Sequence, residues 1–282
     1  MSAAFIALQH VLPQHALSRL AGSLAASESP WLRDRLIRRF VAAYSVDLSE
    51  AERGIGQFKS LNDFFTRELS PGARPLADAR TFILSPADGA ISQLGPVTGG
   101  RIIQAKGRDY SVAEILGCGS DEAARFESGR FMTVYLSPKD YHRVHMPAAG
   151  TLAATNYIPG NLYSVNVATA GGVDRLFARN ERLSCRFDGP DGHFASVMVG
   201  AMIVAGIDTV WPNAFRTHAS SPVHESFAGA GHKFAAGDEM GRFYLGSTVV
   251  LLFEPQRVDW LEGFKPGDPL RMGQAIARRL GG

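Results

Sequence analysis

Leu183-Ser184-Cys185-Arg186-Phe187-Asp188-Gly189-Pro190-Asp191-Gly192-His193-Phe194-Ala195-Ser196-Val197-Met198-Val199 decides the fold class. Its centre, Asp188-Gly189-Pro190-Asp191-Gly192, is a turn signal, and β-rich runs stand on either side at Leu183–Phe187 and Val197–Val199. Working outward, similar short runs recur at Phe82–Leu84, Ile102–Ala105, Phe131–Leu136, Ile203–Ile207 and Thr248–Phe253, with glycine and proline between them. Strands do not alternate regularly with long helices, so a parallel βαβ architecture is excluded. The expected fold is α+β and mainly β, an antiparallel sandwich or barrel-like core. Asp121–Arg125 reads as part of one short helix, and Thr217–Ala236 reads as a long loop.

Residues 1–70 have a different texture. Leu17, Leu20, Ala21 and Leu24 recur at helical spacing, and Pro13 separates them from an earlier stripe of Phe5, Leu8 and Leu12. Ser29-Pro30 supplies an N-cap and a first-turn proline for a further helix. That helix carries Trp31, Leu32, Leu36, Ile37 and Phe40, with Arg33, Arg35, Arg38 and Arg39 between them. A cationic amphipathic helix suits a membrane interface, while the plain alternative is a helix packed on its own domain. The chain therefore divides into a helical N-terminal region, 1–70, and a β-rich domain, 71–282.

The 282 residues carry 29 Lys+Arg against 27 Asp+Glu, a net charge of +2, with 45% apolar residues. Such a chain can bury a substantial core, which excludes global disorder. The balance of charge gives no field for gathering nucleic acid. Cys118 and Cys185 are 67 positions apart with no CxxC pair, so neither a disulfide framework nor a structural zinc is expected, and a reducing cytoplasm fits. The uncharged, largely apolar run Phe194–Ile207 is too short to cross a bilayer. The N-terminus lacks the pattern of a secretory signal, so export is not expected.

Three segments concentrate chemistry. The dinucleotide fingerprint, the Walker loop, the G-x-S-x-G elbow and the H-E-x-x-H pair are all missing. Tyr135–Pro147 places His142 and His145 with Asp140, Tyr141 and two bases directly after a strand. Two histidines beside an acid suit proton transfer near neutral pH, whereas a metal site there lacks a third ligand. Asp88 stands in Ser85-Pro86-Ala87-Asp88-Gly89, where a turn acid capping its own backbone is the plain alternative. The third segment is Met240-Gly241-Arg242-Phe243-Tyr244-Leu245-Gly246-Ser247-Thr248, in which a Gly-Ser bond leads into an apolar strand.

Together these segments resemble the phosphatidylserine decarboxylase family, pyruvoyl-dependent enzymes whose precursor cuts itself within Leu-Gly-Ser-Thr, matched here by Leu245-Gly246-Ser247-Thr248. The likeness extends through Asn62-Asp63-Phe64-Phe65-Thr66-Arg67, Ser85–Gly89, Asp140–Pro147, Leu176–Arg182 and Gly237–Phe243, which is most of the chain. The resemblance implies cleavage between Gly246 and Ser247 into chains 1–246 and 247–282, held as a heterodimer, with further dimerisation left open. It assigns His145 as the base that activates Ser247, oriented by Asp88, with Asp140 as a second orienting acid and Thr248 as a supporting hydrogen-bond donor. His142 is the candidate for contacting the head group or moving a proton.

Residue chemistry supports these assignments independently. A serine hydroxyl can attack the preceding carbonyl to form an ester and then leave when the α-proton is removed, yielding dehydroalanine and, on hydrolysis, a pyruvoyl group with loss of ammonia. Gly246 puts no Cβ beside the attacked carbonyl. The pyruvoyl group, a covalent pyruvate, would condense with the amine of phosphatidylserine as a Schiff base and accept the electrons released with CO2, giving phosphatidylethanolamine. Such a substrate implies a peripheral protein on the cytoplasmic side of the cell membrane. Three alternatives stay open: a pyruvoyl decarboxylase of a soluble amino acid derivative, a Ser-His-Asp hydrolase, and a non-enzymatic β-sandwich binding protein.

Overall fold

The computed structural model describes residues 9, 12–202, 206–244 and 247–281. Phe5 and Leu8 of the early stripe, Ile203–Ala205 of one expected strand, and Leu245 and Gly246 of the expected cleavage motif lie outside the described residues.

Helices come first along the chain: α1 (Gln14–Ala25), α2 (Pro30–Tyr44) and α3 (Leu61–Phe65). Pro30 opens α2 as expected, although Ser29 makes no side-chain cap bond, and Ser45 ends the helix in the left-handed region at φ 51°. Strands then dominate. They are β1 (Phe82–Leu84), β2 (Gly89–Pro96), β3 (Arg101–Ala105), β4 (Arg108–Ser111), β5 (Arg130–Leu136), β6 (Arg143–His145), β7 (Gly150–Ile158), β8 (Arg182–Gly189) and β9 (Gly192–Gly200). The remainder are β10 (Gly206–Thr209), β11 (Val223–Ser226), β12 (Lys233–Phe234), β13 (Glu239–Tyr244), β14 (Ser247–Phe253), β15 (Val258–Trp260), β16 (Pro269–Leu270) and β17 (Ala275–Arg279). Short helices α4 (Val112–Leu116), α5 (Ser120–Ala124), α6 (Val167–Ala170) and α7 (Leu176–Arg179) interrupt them.

One large sheet runs β11-β7-β8-β9-β14-β5-β2-β16, with β12 also on β7, and its paired strands are antiparallel. The turn that opened the sequence reading closes the β8–β9 hairpin, with Gly189 opposite Gly192. The stretch read as a long loop, Thr217–Ala236, instead contains β11 and β12, which extend the sheet beyond β7. Their weak alternation is what an edge strand shows when neighbours cover only one flank.

Strand β14 lies centrally between β9 and β5, and all seven of its residues are buried. Its alternate side chains enter two different cores. Val249, Leu251 and Phe253 join the core beneath two small sheets, β10-β13-β6 and β1-β17-β15. Val250 and Leu252 join a core roofed by α4, α5, α7 and the β3–β4 hairpin. By this alternation Ser247 belongs to the first face, shared with the sheet that carries β6, and Thr248 to the second. Helices α1, α2 and α3 form a third, smaller core around Ile37, Phe58 and Phe64.

Candidate active site

Ser247 begins β14, paired across the ladder with Leu136 on one side and Gly200 on the other. Its hydroxyl is fully buried and has no hydrogen-bond partner among the described residues. An unsatisfied buried hydroxyl costs about 1–3 kcal/mol, so its presence at the head of a central strand needs a reason beyond packing.

Connectivity brings the histidine loop to the same place. The chain leaves β5 at Leu136, the partner of Ser247, and returns at His142, whose carbonyl accepts from Phe243 N at 3.1 Å. Phe243 lies four residues before Ser247, so the 137–142 loop brackets the segment that contains the expected cleavage point. Ser137-Pro138-Lys139-Asp140 closes the loop: the Asp140 carboxylate accepts from the Ser137 backbone N and hydroxyl, both at 2.7 Å.

Both histidines have defined tautomers. His142 Nδ1 faces the Asp140 carbonyl at 2.8 Å, which can only accept, so Nδ1 carries the proton and Nε2 keeps a lone pair. That Nε2 is buried without a partner among the described residues, and burial pushes the imidazole pKa down to about 3. His145 Nδ1 donates to the Gly237 carbonyl at 2.8 Å, and its Nε2 accepts from the Tyr141 hydroxyl at 3.0 Å. Burial holds this imidazole below its ordinary value and the Tyr141 phenol above its own. At neutral pH both rings are bases that present Nε2.

Asp88 takes a place different from the expected one. Arg74 grips its carboxylate with Nε at 2.9 and 3.1 Å and Nη2 at 2.5 Å, and Met272 N donates at 2.8 Å. Both ring nitrogens of His145 are already engaged, so Asp88 does not orient that ring by a direct hydrogen bond. Its influence there is the through-space pull of a negative charge, which favours protonated His145. Neighbouring Gly89 is fixed by sterics, because a Cβ there would strike the Tyr135 backbone oxygen. Asp140 likewise reaches His142 through its main-chain carbonyl, whereas its carboxylate serves the turn. Thr248, on the opposite face of β14, has a buried hydroxyl without a partner among the described residues.

Two further motifs prove to be supports. In Asn62–Arg67, the Phe65 ring packs on His142 with centroids 4.0 Å apart, and Arg67 Nη2 donates to the Lys139 carbonyl at 3.1 Å. Arg143 ties this segment to the small sheet through the Thr66 carbonyl at 2.9 Å, Glu68 at 2.8 Å and Glu239 at 2.8 Å. In Leu176–Arg182, Asn180 donates to the Gly200 carbonyl at 2.9 Å, while Gly200 N donates to the Glu181 carbonyl at 2.9 Å. The first motif fixes the histidine loop, and the second fixes the residue opposite Ser247.

Sequence reading missed Arg74, Phe65 and the Gly237 carbonyl as partners. An arginine on a loop and a main-chain carbonyl carry no local signal for such roles. A cavity of about 440 Å³ adjoins the site, lined by Asp88, Tyr141, Arg67, Arg74, Lys139 and Arg271 among others.

Residues 61–278 match the family model described as phosphatidylserine decarboxylase, and residues 4–45 match a second model described as PSD. The curated protein named phosphatidylserine decarboxylase proenzyme from Pseudomonas fluorescens is 50% identical over 278 residues, covering 97% of each chain. The proteins of that name from Saccharophagus degradans and Bordetella pertussis are 50% and 49% identical, covering 97% of this chain and 96% and 93% of theirs. A match across almost the whole length, including every segment that builds the histidine loop and its supports, leaves one assignment: the chain belongs to the phosphatidylserine decarboxylase family.

Proposed function

We propose that this protein decarboxylates phosphatidylserine to phosphatidylethanolamine, using a pyruvoyl group that it makes from Ser247. The observation that carries the reading is the buried Ser247 hydroxyl, without a hydrogen-bond partner among the described residues, on the same face of β14 as the histidine-bearing sheet. A serine held away from water and from competing hydrogen bonds keeps its lone pairs for the preceding carbonyl, so the donor set suits self-processing.

In the processing step the Ser247 oxygen bonds to the Gly246 carbonyl carbon, the peptide C–N bond breaks, and the nitrogen takes the hydroxyl proton through a base. Loss of the Ser247 α-proton then expels the Gly246 carboxylate, and one water converts the resulting dehydroalanine to the ketone with release of ammonia. No external oxidant is needed. His145 acts as base, oriented by the Gly237 carbonyl and Tyr141; Tyr141 must release Nε2 before that nitrogen takes a proton. His142, neutral with a free Nε2, manages a proton on the substrate side. The ketone supplies an electron sink for loss of CO2 from an amine-bearing substrate.

The cavity supports recognition of the head group. Arg67 and Lys139 offer donors suited to carboxylate and phosphate oxygens within a lining whose other charges balance, Arg74 being paired to Asp88 and Arg271 to Glu50, beside Asp47 and Asp140. Access to the lipid comes from residues 1–70, and α1 supports this by an inverted polarity. Its polar residues Gln14 and Ser18 are buried, and Gln14 accepts from Leu162 N at 2.6 Å, while Leu17, Leu20 and Leu24 are 38%, 61% and 48% exposed. Trp31 on α2 is 71% exposed. A helix docked by its polar face leaves its leucines for acyl chains. No helix among the described residues is long and apolar enough to span a bilayer. The attachment proposed is peripheral, on the cytoplasmic side, through the exposed leucines of α1. The β-rich domain, 71–282, then performs catalysis as the two-chain product of one precursor.

Purified protein incubated with vesicles containing phosphatidylserine is expected to release CO2 and form phosphatidylethanolamine, and Ser247→Ala is expected to do neither. Turnover by Ser247→Ala at the wild-type rate would refute the reading, and turnover only of a soluble serine derivative would favour the non-lipid alternative.

A further inference from the structure

We infer that His15, Glu181 and His218 form a binding site for one divalent transition-metal ion of the zinc class, separate from the Ser247 centre. One donor atom of each residue lies within 4.8 Å of the donor atoms of the other two. The three come from distant parts of the chain: helix α1, the segment entering β8, and the loop between β10 and β11.

Glu181 is the anchor of the argument. Its side chain is 2% exposed, and among the described residues its carboxylate has no lysine or arginine ion partner. Buried carboxylates are ordinarily paired or bound to metal, because an isolated one loses several kcal/mol of hydration. The carboxylate instead accepts from the His218 backbone N at 3.1 Å and from its Nδ1 at 2.8 Å. The 2.8 Å between His218 Nδ1 and Glu181 Oε2 is close to the spacing of two ligands on one ion, which would take the place of the shared proton between them.

His15 completes the set. Its Nε2 stands 3.0 Å from the Gly160 carbonyl and therefore donates, leaving the other ring nitrogen with the lone pair. Its ring meets that of His218 edge to face, centroids 5.7 Å apart. His15 thus has one nitrogen fixed by an oxygen acceptor and the other available, the arrangement that orients a histidine toward a metal. Two imidazoles with one carboxylate are a borderline donor set that suits zinc and leaves a fourth position for water. Bonds of about 2.0–2.2 Å require the donor atoms, within 4.8 Å of one another here, to draw together around the ion.

The location gives the ion a structural consequence. His15 belongs to the helix that presents leucines outward, and the Glu181 carbonyl holds Gly200, the ladder partner of Ser247. A bound ion would tie the membrane-facing helix to the strand beside the processing site.

The test uses the purified full-length protein, stripped with a chelator, dialysed and titrated with ZnCl2 against a chromophoric competitor, with thermal unfolding followed alongside. The expected result is one saturable equivalent per chain and a higher melting temperature with zinc. His15→Gln and His218→Gln are each expected to weaken binding at least about tenfold and to lose the zinc-dependent shift, measured against each variant's own metal-free melting temperature. Co2+ in place of zinc should give visible absorption bands in wild type that the double variant lacks. Absence of saturable binding in wild type, or equal binding in the double variant, would overturn the inference; neither outcome bears on processing at Ser247.

Discussion

At His142, burial and function pull in one direction. The ring packs between Phe65 and the loop, donates from Nδ1 and leaves Nε2 free, and its pKa is pushed down to about 3. An unfolded histidine takes a proton as pH falls through about 6.5, whereas this one resists until near 3. The folded state therefore binds fewer protons across that window, so the group costs nothing above pH 7 and stability falls as the solution is acidified. Urea unfolding at pH 7.5 and pH 5 should show a loss in wild type that is smaller in His142→Gln; an equal loss in both would remove this account of the ring. The two histidines should also separate kinetically. His145→Ala is expected to slow self-cleavage by about a hundredfold or more, while His142→Ala still cleaves but loses turnover by a comparable factor. Gel analysis of the fragments together with CO2 release distinguishes them, and normal turnover by cleaved His142→Ala would contradict the division of roles.

Among the elements, α1 shows how a periodicity can be read correctly while its direction is not. The leucine spacing announced a helix, but only the structure shows that Gln14 and Ser18 face inward, because hydrogen bonds to Leu162 N and its surroundings replace apolar packing. Leu17, Leu20 and Leu24 are exposed and stand outside the three cores, so replacing all three with Ser is expected to leave processing nearly unchanged. Vesicle cosedimentation should fall by about tenfold or more for each leucine that enters the acyl region, from roughly 1.5–3 kcal/mol per buried side chain. Undiminished binding would exclude α1 as the membrane contact. Strands show the same limit of legibility. The buried run Thr248–Phe253 and the Asp188–Gly192 turn were evident, since apolar β-branched residues and turn glycines signal locally. Edge strands β11 and β12 were hidden in a polar, glycine-rich stretch, because their pairing is supplied by β7 rather than by their own side chains.

Across the whole molecule, the site is assembled from distant segments that meet around the start of β14. Ser247, His142, His145 and Asp88 stand in segments that signal locally in the sequence, whereas the partners that hold them do not. Arg74 holds Asp88, the Gly237 carbonyl holds His145, and the Asp140 carbonyl holds His142. Main-chain acceptors have no sequence signature, and a long-range ion pair has none until the fold closes it. What the fold adds is a wall of support, Asn62–Arg67 behind the histidines and Asn180–Glu181 behind Gly200, around a hydroxyl without a partner among the described residues. On the proposed reading this hydroxyl breaks its own chain. Intact-mass spectrometry of the denatured, purified protein tests it directly: two chains are expected, 1–246 and 247–282, the latter beginning with a blocked, ketone-bearing terminus, while Ser247→Ala remains whole. A single uncut chain of 282 residues from wild-type protein that nevertheless decarboxylates phosphatidylserine would contradict the account.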